Sequence, residues 1–244
     1  MAAVEYALHL ERRLAELRDA RKIERTRLKL ETATARLLER LTYGQLTVDA
    51  IAAEAGVAHG TFYRYYASKH EIVAAVLRGF FSSIRAMRPS LAAMPDAYAA
   101  IHAANRHYVE VYRRNVGLMR CFLALRAEDP LVARIGRAAD DGLVARVLRS
   151  LARRGAPAAR LPLARQELLA HAVIAMVDAL LRKVYGAGDP PLDRFADDPE
   201  GVAAVVSDIW YRALYGGEIG GAVSADATPA SAAAAGATGS SRPA

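Results

Sequence analysis

The chain has 244 residues, of which 53% are hydrophobic, 24% charged and 7% aromatic, which suits one medium-sized helical core and excludes a large multidomain assembly. Its single cysteine, Cys121, excludes an intrachain disulfide framework and a zinc site built from several cysteines. The first 88 residues carry +5 of the formal net charge of +7, from 15 Lys and Arg against 10 Asp and Glu. The N-terminal part is therefore the better candidate to face a polyanion. The alternative is that this surplus is ordinary solvated surface.

Helical periodicity dominates the chain, and no stretch alternates with the period of a strand. Residues 4–41 predict one long or twice-broken amphipathic helix, and three short segments follow at 47–55, 59–66 and 69–87. Longer helices are predicted further on, over residues 96–114, 116–127, 131–154, 163–185 and 199–215. The sequence therefore predicts an all-α protein of about nine helices.

Neither end of the chain carries the pattern of a membrane segment. Glu5 and Arg12 interrupt the N-terminus before a signal-peptide core could form, and the longest strongly apolar run, 168–177, is too short to span a bilayer. Residues 216–244 contain 24 Ala, Gly, Ser, Thr or Pro among 29 and predict a disordered tail. We therefore expect a cytoplasmic protein without a membrane partner.

The segment 47–66 has the features of two short helices joined by a tight turn. Thr47 is a predicted N-cap, and Gly56 permits the left-handed backbone that such a turn needs. Phe62 and Tyr66 lie one helical turn apart and can anchor the second helix to the core. Its other face then points outward, with Gly60, Thr61, Arg64 and Tyr65. An arginine on such a face can bind a guanine edge in the DNA major groove, while hydroxyl groups reach phosphates.

A capping-box pattern at residues 68–71 places Lys69 in the first turn of the next helix. A cation in the first turn of a helix opposes the helix macrodipole and so does not stabilise the helix. Binding of a polyanion therefore explains the presence of Lys69 better than helix stability does. The alternative for the whole segment is a helical hairpin whose aromatic residues are core, with Arg64 as a solvated side chain.

These pieces, Ala-Gly-Val, Thr-Phe-Tyr-Arg-Tyr-Tyr and Ser-Lys-His-Glu within residues 47–69, closely resemble the N-terminal domain of TetR/AcrR-type transcriptional regulators, over residues 21–88. The resemblance implies a helix-turn-helix domain in which Thr47 and Lys69 grip phosphates. The residues that it places at or near double-stranded DNA are His59, Gly60, Thr61, Tyr63, Arg64 and Tyr65. Two positions depart from the family pattern: Tyr66, where phenylalanine is common, and Tyr43-Gly44, where a Gly-aromatic turn is usual.

Four segments follow from this interpretation: a basic helical extension over 1–20, a helix-turn-helix domain over 21–68, a helical effector-binding and dimerisation domain over 69–215, and the tail over 216–244. We predict a homodimeric repressor that a small, largely apolar effector releases from a palindromic operator. Residues 12–29 carry a net charge of +5, from eight Lys and Arg against three Asp and Glu. They predict either an arm that adds phosphate contacts or a solvated helix face.

The segment 96–114 carries polar groups mixed into an apolar stripe, which is typical of a ligand pocket. The candidate effector-binding residues are Tyr98, Ile101, His102, Asn105, Tyr108 and Tyr112, with His171 and Asp178 from a later helix. The alternative is that each is a core or interface residue with satisfied hydrogen bonds. For the dimer interface the candidates on the last two helices are Leu168, Val173, Val177, Ile209, Trp210 and Leu214.

No catalytic or cofactor motif is present, so we predict no enzyme activity, no cofactor and no metal. His107 and Glu110 lie three residues apart but are too weak a signal for a metal site, and Cys121 is read as a small buried hydrophobe. Two other functions stay open. One is a helical small-molecule-binding or metal-dependent enzyme with an incidentally basic N-terminus, which would lack salt-dependent DNA binding. The other is an architectural DNA-binding protein, which would lack an effector pocket.

Overall fold

The computed structural model describes residues 5–17, 22–90, 94, 96–186 and 190–216, and this part of the chain contains helices and no strand. Its α-helices are α1 (Tyr6–Glu16), α2 (Lys22–Arg40), α3 (Val48–Glu54), α4 (His59–Phe62), α5 (Lys69–Ala86), α6 (Ala97–Arg114), α7 (Val116–Arg126), α8 (Pro130–Arg154), α9 (Leu163–Leu181), α10 (Pro190–Asp193) and α11 (Pro199–Tyr215). Nine of these eleven helices have seven or more residues, so the all-α prediction is confirmed.

Helix starts lie where short polar side chains cap them. The Thr47 hydroxyl accepts a hydrogen bond from the Ala50 amide at 3.1 Å, and Asp96 accepts one from the Ala99 amide at 2.6 Å. Asp129 caps α8 through the Leu131 and Val132 amides, at 2.8 and 3.0 Å. These caps satisfy amides that have no partner within the helix, which explains why the sequence located the starts to within a residue.

Two predicted helices are shorter than their pattern suggested. The segment 59–66 is α-helical only as far as Phe62, after which the backbone tightens and the Tyr65 amide donates to the Phe62 carbonyl at 2.9 Å. The segment 163–185 is α-helical as far as Leu181 and then widens into a π-helical turn, Arg182–Gly186. A 3₁₀ turn, Pro157–Arg160, connects α8 to α9.

One apolar core runs through both the N-terminal and the C-terminal helices. It joins Leu38 of α2, Phe62 of α4 and Leu77 of α5 to Leu118 of α7 and Val206 of α11, and none of these side chains is exposed. A smaller cluster packs α8 against α9 and α11. Because the core crosses residue 68, the helix-turn-helix is packed against the larger part of the chain rather than tethered to it.

The N-terminal helix α1 is docked on α2. Tyr6 and Leu10 are buried, and the Tyr6 amide donates to Asn115 Oδ1 at 2.8 Å. Glu11 forms an ion pair with Arg36 at 2.7 Å. Residues 5–17 therefore contain a packed helix, and the phosphate contacts predicted for the basic residues over 12–29 stay a prediction. Residues 1–4 and 18–21, and the predicted tail over 217–244, lie outside the described residues.

Candidate DNA interface and effector cavity

Helices α3 and α4 form a compact helix-turn-helix. Ile51 of α3, Phe62 of α4 and Tyr66 just beyond α4 are buried, as the sequence predicts. Gly56 lies in the turn with a φ of 65°, a conformation that costs glycine no steric strain. The two helices are thus fixed against the core, and the opposite side of α4 is left to solvent.

The solvent-facing side of α4 and of the turn that follows it as far as Tyr65, called the α4 surface below, is polar and open. His59, Gly60, Tyr63 and Arg64 are exposed, and Thr61 and Tyr65 are partly exposed. A Cβ added at Gly60 would meet no atom within 4 Å, so nothing inside the chain requires glycine there. His59 Nδ1 lies 2.5 Å from Asp49 Oδ1, which ties the start of α4 to α3. This surface gathers the residues that the sequence predicted at DNA.

Lys69 has a structural contact that the sequence did not indicate. Its ammonium group donates to the carbonyl oxygens of Tyr43 and Leu46, at 3.0 and 2.8 Å, and lies 4.6 Å from the centre of the Tyr43 ring. It therefore holds the loop between α2 and α3 against the start of α5. An ammonium has three donors, so one is left for a phosphate.

Tyr66, where the family commonly has phenylalanine, uses its hydroxyl group within the domain. The hydroxyl donates to Glu31 Oε1 of α2 at 2.5 Å, and the Arg27 guanidinium lies 5.5 Å from the ring centre. Burial, followed by the Glu31 carboxylate, raises the pKa of Tyr66 well above its usual value. Tyrosine in place of phenylalanine thus adds a hydrogen bond that ties the end of the segment 59–66 to α2.

Residues 31–76 match the family model described as bacterial regulatory proteins of the tetR family. The chain carries a TetR-family DNA-binding domain. The resemblance drawn from the sequence is confirmed, and the match covers α3, α4 and the start of α5. No curated protein matches the chain by sequence.

Solved structures share the fold of the TetR-type domain together with the helices that follow it. A transcriptional regulator from Rhodococcus sp. Rha1 is 21% identical, with a TM-score of 0.61 over 80% of this chain and 98% of its own. A tetR-family transcriptional regulator from Streptomyces coelicolor is 17% identical, with a TM-score of 0.57 over 77% and 82%. The TetR-family repressor FadR from Thermus thermophilus, solved in complex with lauroyl-CoA, is 20% identical, with a TM-score of 0.50 over 81% and 97%.

Behind the TetR-type domain, a cavity of about 990 Å³ lies between α5, α6, α8, α9 and α11. Four of the predicted effector residues line it: Ile101, Asn105, Tyr108 and Asp178. The Tyr108 hydroxyl donates to Asp178 Oδ1 at 2.7 Å, so these two polar groups satisfy each other across α6 and α9. Asn105 Nδ2 donates to Ser207 Oγ of α11 at 3.1 Å.

The structure does not bring the other four predicted effector residues to this cavity. Tyr98 donates to Asp208 at 2.8 Å, and His102 lies 3.2 Å from the Glu200 carboxylate, so both tie α6 to the outside of α11. Tyr112 is 2% exposed and belongs to the core, whereas His171 is exposed on α9. Tyr98, His102 and Tyr112 thus have the core or interface placement that was the alternative, whereas His171 lies on the surface.

The cavity contains more positive charge than the sequence suggested. Eight arginines line it, against two aspartates. The arginines are Arg78, Arg85, Arg88, Arg134, Arg146, Arg149, Arg153 and Arg154. A signal existed, because 146, 149 and 153 follow a helical spacing that puts them on one face of α8. The expectation of a largely apolar ligand overlooked this face.

Several polar contacts join the TetR-type domain to the rest of the chain, and two of them involve carboxylates. The Gly117 amide at the start of α7 donates to Glu39 Oε2 of α2 at 3.0 Å, and Gly117 packs directly on the α2 backbone. Burial raises the pKa of Glu39, although the Gly117 amide partly offsets this effect. His70 Nε2 of α5 hydrogen-bonds Asp129 Oδ2, the side chain that caps α8. The cavity helix α8 thus begins beside the start of α5.

The predicted dimer residues fall into two groups. Leu168 and Ile209 are 69% and 43% exposed, which leaves them available to a partner. Val173, Val177 and Leu214 are buried within the chain, and half-buried Trp210 donates to the Val173 carbonyl at 3.2 Å. These last four residues pack the helices of one chain together.

The described residues contain neither a membrane-spanning helix nor a cluster of metal ligands. None of their helices has the length and apolar character needed to cross a membrane. Nor do the described His, Cys, Asp and Glu side chains form a group of three or more that could hold a metal ion.

Proposed function

We propose that the chain is a ligand-responsive transcriptional regulator. In this proposal a homodimer binds a palindromic DNA operator through the two α4 surfaces, acts as a repressor, and loses affinity for the operator when a small molecule occupies the cavity.

The placement of α5 carries the proposal. Its first residue, Lys69, holds the loop before α3, and its C-terminal half contributes Phe81, Ile84 and Arg85 to the cavity wall. One continuous helix of 18 residues therefore connects the α4 surface with the cavity. A ligand that moves the second half of α5 moves the first half with it, and two reading surfaces held at a fixed spacing lose register when each rotates.

The chemistry of the α4 surface suits DNA. Arg64 can donate paired hydrogen bonds to guanine, and the Thr61 and Tyr63 hydroxyls can reach phosphates. Thr47 and Lys69 are assigned to phosphates beside them. Gly60 would let the α4 backbone approach the DNA closely, which accounts for a glycine where the chain itself leaves open space.

Ligand binding and dimerisation have separate support. FadR from Thermus thermophilus, which shares the fold, was solved with lauroyl-CoA, and a comparable use of the cavity in this chain is part of the proposal.

A helix-turn-helix reads one half-site, so two copies must be held about 34–36 Å apart. The exposed Leu168 and Ile209 provide an apolar face for that contact. Sedimentation at micromolar concentration should show a dimer, and a monomer would contradict this part.

The operator can be found by genomic footprinting, and affinity for it measured by fluorescence anisotropy. Arg64→Ala should cost about 1–3 kcal/mol at one operator position. Gly60→Ala should weaken binding without lowering the melting temperature, because its methyl group meets nothing inside the chain. Gly142→Ala is the matched control, since Gly142 also has open space but lies on α8. If both Arg64→Ala and Gly60→Ala bind the operator like the control, α4 is not the DNA-reading element.

A further inference from the structure

The cavity described above has an uncompensated positive charge. Its two aspartates are already engaged: Asp140 accepts from Arg126 at 2.6 Å, and Asp178 accepts from the Tyr108 hydroxyl at 2.7 Å. Among the described residues, neither carboxylate forms an ion pair with one of the eight lining arginines. Arg88 and Arg146 are two lining arginines that form no ion pair within the described residues.

Arg88 and Arg146 lie further inside the cavity than the arginines at its rim. Arg88, just beyond α5, and Arg146 of α8 are half-buried, whereas Arg85, Arg149 and Arg153 are exposed at the rim. Arg146 donates to the carbonyl oxygen of Pro89 at 3.0 Å, which holds it beside Arg88. Burial and then the charge of Arg146 lower the pKa of Arg88, and burial and then Arg149 lower that of Arg146. Two like charges held together away from water are unfavourable unless an anion joins them.

A histidine of the cavity wall lies near these two arginines. His107 Nε2 is buried and has no hydrogen-bond partner among the described residues. Burial, followed by the charges of Arg88 and Arg146, lowers the pKa of His107, so its ring is neutral at neutral pH and carries one N–H. Buried polar atoms in proteins normally have a partner, and one left without it points to a group that the chain itself does not supply.

Apolar side chains also line the cavity. Phe81, Ile101, Ile135, Leu143 and Ile174 come from four different helices and face the same space. The volume of about 990 Å³ is at the upper end for cavities that enclose a drug-sized molecule. A ligand that fills it can pair with guanidinium groups and also bury an apolar body.

We propose that the cavity binds an anionic amphiphile, with its acidic group against Arg88, Arg146 and His107 and its apolar body among the α5, α6, α8 and α9 side chains. A carboxylate and a phosphate ester share this chemistry, because both accept the paired donors of a guanidinium group. The inference adds a ligand class to the effector site of the proposed function, but binding to the isolated protein tests it without DNA.

The chain provides its own reporter for the test, since its single tryptophan, Trp210, lines the cavity. Tryptophan fluorescence of the full chain would be titrated with dodecanoate and dodecyl phosphate below their micelle concentrations and with dodecan-1-ol below its solubility limit. At least one anionic probe should bind about tenfold or more tightly than the alcohol, since hydrogen bonds to charged groups are worth this much. Whichever anion binds more tightly identifies the acidic group as a carboxylate or a phosphate.

Matched variants then locate the acidic group. Arg88→Gln should weaken the anionic probe about tenfold and leave dodecan-1-ol unchanged. Arg137→Gln is the control, because Arg137 is exposed on α8 and does not line the cavity. Arg146→Gln also removes the hydrogen bond to Pro89, so the melting temperature of this variant is measured first to show that it is folded. The preference of the wild-type protein for an anion is measured without any variant.

Three results would overturn the proposal: no binding of either anion, an alcohol that binds as tightly as the anions, or a preference that survives Arg88→Gln. Operator binding by the same preparation separates this outcome from the proposed function. A chain that selects anions but binds no DNA sequence specifically would overturn the regulator and keep the ligand class. A chain that binds its operator but does not select anions would overturn the ligand class and keep the regulator.

Discussion

Gly117 lies where the TetR-type domain meets the rest of the chain, and its replacement by alanine tests that contact. The added Cβ would lie 2.2 Å from the Leu38 carbonyl oxygen and 2.4 Å from the Glu39 Cα. Both are backbone atoms of α2 and cannot swing aside, so α7 must move by about 1 Å to regain ordinary contact. Overpacking of this kind costs about 1–3 kcal/mol. The movement also strains the bond from the Gly117 amide to Glu39, worth about 1.5–3 kcal/mol.

Taken together, Gly117→Ala should lower the free energy of unfolding by about 3 kcal/mol, or the melting temperature by about 6–12 °C in a chain of this size. Circular dichroism during thermal and urea unfolding measures both. Gly142→Ala is the control, because its Cβ meets no atom within 4 Å and alanine stabilises a helix interior by about 0.5–1 kcal/mol. A Gly117→Ala protein as stable as the Gly142→Ala protein would show that α7 does not pack on α2 as described.

Other predictions concern single polar groups. Lys69→Ala should weaken binding to every DNA sequence alike and also lower stability by about 1–2 kcal/mol, since two backbone carbonyls lose their donor; loss confined to one operator position would contradict it. Tyr108→Phe removes the donor to Asp178, whose pKa burial already raises, and should raise that pKa further. The resulting loss of stability is present where Asp178 is ionised and shrinks as the pH falls through its folded-state pKa, so a loss that grows in acid would refute the pairing. Burial raises the pKa of Cys121 to about 12, so thiol reagents should label it only after unfolding, and rapid labelling of the native protein would contradict this.

The limits of most helices could be predicted because local chemistry sets them. Asp96 and Asp129 cap α6 and α8 through amides only two or three residues away, and Pro199 opens α11. Each signal acts within one turn of helix and is therefore visible in a short stretch of sequence.

The partners of polar side chains could not be predicted in the same way. Tyr98 and Tyr108 share the polar stripe of α6, yet the first bonds Asp208, 110 residues away, and the second bonds Asp178, 70 residues away. Only the second lines the cavity. The arginine row on α8 has the same difficulty, because an arginine stripe on a helix is normally solvated and its spacing does not tell which neighbour it faces.

The shortness of α4 has a consequence for the number of base pairs that each protomer can specify. Four residues of helix extend about 6 Å and the tighter turn to Arg64 adds about 4 Å, which together span about three base-pair steps of about 3.4 Å. A segment of this length distinguishes two or three base pairs. Random DNA contains a given pattern of that length about once in 16 to 64 positions, and a genome offers about 10⁶–10⁹ competing sites. When two protomers each recognise such a pattern at a fixed distance, a matching pair occurs by chance about once in 256 to 4,096 positions. A genome therefore still contains many false matches. The operator of such a protein should therefore carry part of its identity in the stiffness and groove width of base pairs that no side chain touches.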